Sequence, residues 1–327
     1  LGMGAFAQIL VLLAFMAAGA LIHRVRLSPP AKMTDRLIKM VLWVLLLVMG
    51  FRLGNARELR DRLGEIGLLA VGTALATLAG TIAAIRAAYS LLETLRTRRG
   101  GHRAGAPGAR PDGGSGPVTD GSPRLGWEHF KGPSVLLVVV IVGFLTGLAL
   151  PELALDYGSV TGWVLNALLF MIGLQFAQSG ISLRSAFVRA DTALVPIATM
   201  VGSLAGGLFG AAAFSISAGK ALSLAAGFGW YSLSGVLLSD LGDPVLGSAA
   251  FLANMARESM ALLLIPLLSR SKRPYTAVGA GGATAMDVTL PLIEQCLGPD
   301  SVPVSFTSGA ILSLLVPVLV PLFYGLG

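Results

Sequence analysis

The sequence predicts an all-α polytopic membrane protein of about eight to ten membrane segments, and its composition carries that prediction. Hydrophobic residues make up 54% of the 327 residues and charged residues 13%, where a soluble domain carries roughly 25% charged residues. The mean hydropathy is +0.78. So few charges could not cover the surface of a water-soluble globule, and soluble enzymes and nucleic-acid binders are therefore excluded as classes.

The second observation is a series of apolar runs, most of them close to the length of about 20 residues that crosses a bilayer. They lie at residues 5–22, 37–54, 66–90, 134–151, 160–177, 192–214, 219–238, 245–268, 275–296 and 302–324. The first run follows no basic leader and lacks a small-residue cleavage signal, so we expect a span there rather than a signal peptide.

The longest polar interruption, residues 93–131, is basic and rich in glycine and proline. Such a segment cannot bury a core, and basic loops collect on the cytoplasmic side of bacterial-type membrane proteins. The sequence therefore predicts a three-span unit at 1–92, a flexible cytoplasmic linker at 93–131 and a second unit at 132–327. With the linker inside, the N-terminus is expected to lie outside the cell.

A short internal repeat crosses the linker. Residues 46–53 resemble residues 169–176, and a Leu-Arg pair follows each copy. The matched units, 5–90 and 134–214, hold three spans each, and an odd number forces the second unit to enter the membrane with opposite polarity. Inverted repeats of this kind, with broken helices meeting near the midplane, recur in secondary transporters.

The basic loop 270–273 conflicts with a topology in which every apolar run crosses the membrane. If all of the last four runs crossed the membrane fully, this loop would lie outside, against the distribution of positive charge. We therefore expect at least one of these runs to be broken or re-entrant.

The run 226–235 combines glycines, serines and aromatic residues in an otherwise apolar segment. A helix broken by glycine is tolerated in lipid only where protein or a water-filled cavity surrounds it, and its free backbone groups can bind a ligand. The alternative is a face of small residues for helix packing. The candidate binding residues here are Gly227, Gly229, Trp230, Tyr231, Ser232 and Ser234.

Three polar residues, Asn254, Arg257 and Glu258, lie deep in the run 245–268. Charged residues at the centre of a membrane helix are costly and mark functional cavities. Asn254 and Glu258 share a helix face, whereas Arg257 is turned by about 100° from Glu258. Glu258 can thus face a cavity while Arg257 binds a carboxylate, and a structural ion pair is the alternative.

The run 279–291 is a second segment with helix breakers. It contains Asp287 and two candidate substrate-binding residues, Thr284 and Thr289. Glycines precede Asp287 and Pro291 follows it, which places its carboxylate beside an interrupted helix. Burial favours the protonated form of such a carboxyl group, whereas a nearby cation favours its charged form. The group can therefore bind either a proton or an ammonium group. Asp240 and Asp243 precede Pro244 and are interpreted as loop acids.

No cofactor and no metal site are expected. Cys296 is the single cysteine, and the three histidines have no partner at metal-ligand spacing.

Several motifs resemble the bacterial lysine exporter family of the LysO type. They are Gly227–Gly235, Gly247–Phe251, Ala256–Glu258, Gly282–Pro291 and Leu312–Pro317. The resemblance covers about residues 134–327, and the first 90 residues share only the span pattern. It implies a transport unit at 132–327 that exports L-lysine and analogues such as thialysine, and it implies that Glu258 and Asp287 are essential membrane acids.

The expected function is therefore secondary export of lysine across the bacterial cytoplasmic membrane in exchange for protons, without enzymatic activity. L-lysine, protons and the lipid bilayer are the expected partners, and a homodimer stays open. One alternative is a uniporter or channel for cationic amino acids without proton coupling. A remote alternative is an intramembrane aspartyl protease that uses Asp287 with Asp240 or Asp243.

Overall fold

The computed structural model describes residues 3–25, 28–55, 63–98, 128–150, 157–178 and 190–327. Within these ranges the secondary structure is helical and contains no strand, which confirms the predicted all-α class. The helices are α1 (Met3–Arg24), α2 (Ala31–Asn55), α3 (Leu63–Arg98), α4 (Glu128–Ala149), α5 (Tyr157–Gln178), α6 (Ala190–Phe214), α7 (Ala218–Ala225), α8 (Tyr231–Asp240), α9 (Pro244–Leu268), α10 (Thr276–Gly281), α11 (Leu290–Leu297) and α12 (Val302–Tyr324).

The membrane character predicted from composition is confirmed by the helices themselves. Among the described residues, four segments are long and apolar enough to cross a bilayer, and they lie at Gly64–Leu95, Ala193–Phe214, Pro244–Leu268 and Pro299–Tyr324. Shorter apolar segments occupy parts of α1, α4 and α5. The total of eight to ten membrane segments stays a prediction.

The first six helices form three pairs, α1 with α5, α2 with α4, and α3 with α6. We call these the helix pairs. In each pair the two backbones meet at glycines: Gly19 of α1 faces the carbonyl of Phe170, and Gly173 of α5 faces that of Met16. Small residues let membrane helices approach closely enough for van der Waals packing. The packing is reciprocal between the two predicted units, and their inverted repeat stays a prediction.

Two of the last four apolar runs are broken, as expected. The run 219–238 is interrupted between α7 and α8, and the run 275–296 contains a 3-10 turn, Gly282–Met286, between α10 and α11. We call residues 218–240 hairpin 1 and residues 276–297 hairpin 2, and the interrupted segments are their tips.

The ends of each hairpin show that it folds back on itself. At the open end of hairpin 1, Lys220 Nζ lies 2.9 Å from Asp243 Oδ2, so the start of α7 adjoins the N-terminus of α9. At the open end of hairpin 2, Cys296 and Leu297 pack against the hydrophobic cluster that contains Leu268, the last residue of α9. The two hairpins therefore start at opposite ends of α9, and both are re-entrant.

Most of the predicted linker lies outside the described residues. Its two ends are helical, since α3 continues to Arg98 and α4 begins at Glu128. Residues 56–62, 151–156 and 179–189, between the helices, also lie outside the described residues.

Candidate functional site

The tips of the two hairpins touch. The backbone N–H of Ala283 in hairpin 2 donates a hydrogen bond of 2.9 Å to the carbonyl of Phe228 in hairpin 1. The backbone is left-handed on both sides of this contact, with φ of 49° at Phe228, 96° at Gly229 and 61° at Gly282. A Cβ at Gly282 would lie under 3.0 Å from the Phe228 carbonyl, so the contact requires glycine there.

Asn254 of α9 holds the tip of hairpin 1. Its Oδ1 accepts a bond of 2.8 Å from the backbone N–H of Gly229. Its Nδ2 donates to the Leu224 carbonyl at 3.3 Å and to Ser234 Oγ at 3.2 Å. A Cβ at Gly227 would clash with this amide. The predicted residues Gly227, Gly229, Ser234 and Asn254 therefore form one network that closes the break in the helix.

Hairpin 2 closes its own tip with hydroxyl groups. Thr284 Oγ1 donates to the Gly281 carbonyl at 2.8 Å, and Thr289 Oγ1 donates to the Thr284 carbonyl at 3.1 Å. Ser305 of α12 adds a bond of 2.7 Å to the Ala285 carbonyl. Both threonines are buried, and their hydroxyl protons serve the backbone of the tip. Their predicted role in binding a ligand stays a prediction.

Arg257 lies on a different face of α9, where it reaches the α3–α6 helix pair. Its side chain is 1% exposed. Nη2 donates to Thr81 Oγ1 at 3.2 Å, Nη1 donates to Ser203 Oγ at 3.4 Å, and Nε has no partner. Within the described part of the chain no carboxylate pairs with this guanidinium. The structure therefore does not contain the Arg257–Glu258 ion pair that the sequence left open.

Glu258 is equally buried, at 1% exposed, and neither of its carboxyl oxygens has a hydrogen-bond partner. It lies within electrostatic range of Asp287, and the hydroxyl of Tyr231 lies within range of both acids. Asp287 is exposed and its Oδ1 accepts a bond of 2.6 Å from the N–H of Val288. Because a carboxylate facing hydrocarbon is costly, we infer that this exposed face of Asp287 borders an aqueous cleft.

The structure thus brings the predicted residues together around the two tips and the middle of α9. Tyr231 packs edge-on against Phe251 with ring centroids 5.5 Å apart, Ser232 is buried and Trp230 is half-buried at the start of α8. Sequence reasoning missed Thr81 and Ser203, the partners of Arg257. Single hydroxyl residues in apolar helices ordinarily bond their own backbone, so only the fold could single these two out.

Two broken hairpins that meet beside buried polar groups, among apolar helices long enough to span a membrane, form the kind of arrangement found at the substrate sites of membrane transporters. The chain matches the family described as "Lysine exporter LysO" over residues 13–103 and 137–324. It belongs to that family. The match extends to the first unit, where the sequence showed only a similar span pattern.

Two relatives are each similar to this chain over a little more than half of its length. Lysine exporter LysO of Escherichia coli K12 is 44% identical over 188 residues, which are 57% of this chain and 62% of that protein. A Haemophilus influenzae Rd protein named "Putative lysine exporter" is 36% identical over 189 residues, or 58% of this chain and 96% of that protein. The chain thus spans less than two thirds of the Escherichia coli relative. No solved structure matches.

Proposed function

We propose that this chain is a secondary exporter of L-lysine that exchanges the amino acid for protons across the bacterial cytoplasmic membrane. The observation that carries the proposal is that Arg257 and Glu258 are buried beside the touching tips of the hairpins and form no ion pair with any described residue. Both relatives carry the words "lysine exporter" in their names, which supports lysine as the substrate, and export of thialysine stays a prediction.

The charges of the site complement those of lysine. The amino acid carries one carboxylate and two ammonium groups, and the site offers one guanidinium and the two carboxyls Glu258 and Asp287. Arg257 would bind the carboxylate, since a guanidinium matches its geometry. The N-terminal ends of α8 and α11 point at the tips and add positive potential there, while the C-terminal ends of α7 and α10 add negative potential for an ammonium group.

Proton coupling follows from the surroundings of Glu258. A buried carboxylate without a donor or a cation is strongly disfavoured, and binding of either a proton or a substrate ammonium group removes that cost. The two events exclude each other at one carboxyl group. Lysine would therefore leave Glu258 as a proton arrives, with Asp287 at the edge of the cleft as the relay.

Contacts between loops support one orientation in the membrane. Glu93, near the end of α3, forms an ion pair with Arg273, so the linker and the basic loop 270–273 lie at the same end of the bundle. With that end in the cytoplasm, the re-entrant hairpin 1 removes the conflict with the distribution of positive charge. The N-terminus, the open end of hairpin 1 and the C-terminus then lie outside.

The protease alternative finds no support in this geometry. Asp243 accepts a hydrogen bond from the N–H of Leu246 and caps α9, and it also pairs with Lys220. It lies about 22 Å along α9 from Glu258, the residue that adjoins Asp287. Asp240 ends α8 at the same open end of hairpin 1. The pair of facing aspartates that such an enzyme needs is not formed.

The test is uptake of radiolabelled lysine into inverted membrane vesicles that contain the protein, with and without an acidic lumen. We expect the pH gradient to drive accumulation, and we expect Glu258→Gln to abolish it. Glu294→Gln is the matched control, because this carboxyl group is exposed on hairpin 2, and it should transport normally.

Two results would contradict the proposal at different points. Lysine flux that only equilibrates, whatever the gradient, would identify a uniporter or channel. No lysine flux in folded protein would exclude lysine as the substrate.

A further inference from the structure

We propose that the seam between α3 and α9, from a cavity at the open end of hairpin 1 down to Arg257, is the route by which the exported amino acid leaves the central site. The inference rests on the proposed function and adds the path and the residues that line it. Three independent features carry it: a cavity at the outer end, two aligned rows of residues along the seam, and unpartnered polar groups at the inner end.

The outer end of the seam is a cavity of about 500 Å³. This volume lies within the range of about 300–1,000 Å³ that is typical of small-molecule sites. Its walls are mostly apolar, and Glu65, Lys220 and Asp243 supply the charged groups. An amphipathic cationic amino acid fits such a lining, because its alkyl chain can cover apolar wall while its ammonium group meets a carboxylate.

The first row lies on α3. Glu65 and Leu69 line the cavity, and Thr73, Thr77 and Thr81 continue from them at intervals of four residues. Neighbours in this row stack on one another, and because each step turns about 40° past a full turn, the row winds around α3 from the cavity to the contact of Thr81 with Arg257. The three threonines are buried. Their hydroxyl groups can donate and accept hydrogen bonds. They can therefore bind both an ammonium group and a carboxylate as these groups cross the membrane.

The second row lies on α9, which packs against α3. Val245 and Ala249 line the cavity, and Ala253 and Arg257 follow at the same interval of four residues. Both alanines are buried, and their small side chains leave little to move aside. Ala249 lies about 12 Å from Arg257 along the helix, so the cavity and the central site are separated by only two turns.

The inner end of the seam holds polar groups without partners. Arg257 Nε and Thr199 Oγ1 are both buried and make no hydrogen bond. Arg257 is aimed at the end of the hydroxyl row, since its Nη2 donates to Thr81. Buried donors of this kind ordinarily have a partner, and the carboxylate of a passing substrate would supply one.

The seam is closed in this structure. Thr77 Oγ1 donates to the Ala74 carbonyl of its own helix at 3.2 Å, and the threonine row is buried against its neighbours. Release of the substrate therefore requires α3 and α9 to separate, which is the rocking of one bundle against another that alternating access uses.

The test is labelling of single cysteines in a Cys296→Ser background, which removes the single native cysteine. Thr77→Cys places a thiol in the seam, and Leu75→Cys is the matched control because Leu75 is 53% exposed on the outer face of the same helix. A membrane-impermeant thiol reagent is applied from each side, with and without lysine on the cytoplasmic side, and labelling is read from the mass of the protein.

We expect the external reagent to label Thr77→Cys several-fold faster when lysine is being exported, and to leave Leu75→Cys unlabelled. Labelling of Thr77→Cys from the cytoplasmic side alone, or from neither side in a variant that still exports lysine, would overturn the route. Where Thr77→Cys does not fold, Ala253→Cys on the opposite wall takes its place with the same two readings.

The lysine flux of the Cys296→Ser background is measured separately. Its absence would contradict the proposed function, whereas the mass reading without lysine still shows whether the seam opens to the outside.

Discussion

The helix pairs and the unit formed by the two hairpins with α9 treat their polar groups in opposite ways. In the pairs, glycines such as Gly80 and Gly202 bring two complete helices into backbone contact. In the hairpin unit the helices are interrupted, and side chains such as Asn254 and Thr284 satisfy the broken backbone.

The difference is which groups are left unsatisfied. In the hairpin unit, side-chain hydrogen bonds hold the tips in place. Arg257 Nε and both oxygens of Glu258, in contrast, have no hydrogen-bond partner among the described residues. A scaffold that only needed stability would replace such groups with apolar side chains, because a buried charge without a partner is destabilising. The comparison therefore separates residues that hold the fold from residues that we propose to bind the substrate.

The largest expected effect is that of Arg257→Met. Removal of the buried, unpaired guanidinium should leave the melting temperature unchanged or raise it, because the cost of desolvation disappears. Binding of the substrate carboxylate should weaken by roughly 2–5 kcal/mol, the range for truncating one partner of a buried charge pair. Lysine transport and thermal unfolding in detergent are measured on the same preparation.

Arg257→Lys is the companion variant. It keeps the charge without the fork of donors that reaches Thr81 and Ser203, so it should retain part of the transport. A marked fall in melting temperature for Arg257→Met would show instead that Arg257 belongs to the scaffold.

The opposite pattern is expected in the helix pairs. In Gly173→Ala the new Cβ would lie under 3.0 Å from the backbone of Met16, and overpacking of this kind costs about 1–3 kcal/mol. The melting temperature should fall, while the KM for lysine of the folded protein stays unchanged. Gly67→Ala is the control, since nothing lies within 4 Å of its Cβ and alanine favours the helix by up to about 1 kcal/mol. A change in KM for Gly173→Ala would break the division between the two regions.

The breaks in the hairpins could be predicted from the sequence because their signals are local. The runs 226–235 and 279–291 concentrate glycines beside polar residues, and glycine weakens a helix, whereas isolated breakers such as Gly80 and Pro196 lie inside continuous helices. The charge in loop 270–273 indicated in addition that a run folds back. Asn254, Arg257 and Glu258 could be singled out for a similar reason, since charged and amide side chains in a membrane helix are costly. The structure buries all three, and their roles in transport stay predictions.

Contacts between distant segments could not be predicted in this way. Arg257 and Thr81 are 176 residues apart in sequence, and a threonine in an apolar helix carries no sign of its partner. The left-handed backbone at Phe228 could not be predicted from the sequence either, because a residue with a Cβ is disfavoured in that conformation. The hydrogen bond from Ala283 that accompanies it forms only once both hairpins are folded. The ion pair between Lys220 and Asp243, which shows that hairpin 1 is re-entrant, depends on the same tertiary structure.

The smallest expected effect concerns that ion pair, which lies at the solvent-facing open end of hairpin 1. The hydrogen bond to Asp243 raises the pKa of Lys220 above its ordinary value, so the folded protein binds this proton more tightly than the unfolded chain. The stabilisation is therefore complete below the ordinary lysine pKa, and it is lost as the pH rises through the raised value.

Because Lys220 is 40% exposed, Lys220→Met should lower the free energy of unfolding by no more than about 1 kcal/mol at neutral pH. The difference from the unsubstituted protein should shrink above about pH 10, and Lys272→Met, which removes an exposed lysine from the loop at the other end of α9, should show no such dependence. A gap between the two variants that persists unchanged in strong alkali would mean that the hairpin is closed by packing alone, as the helix pairs are.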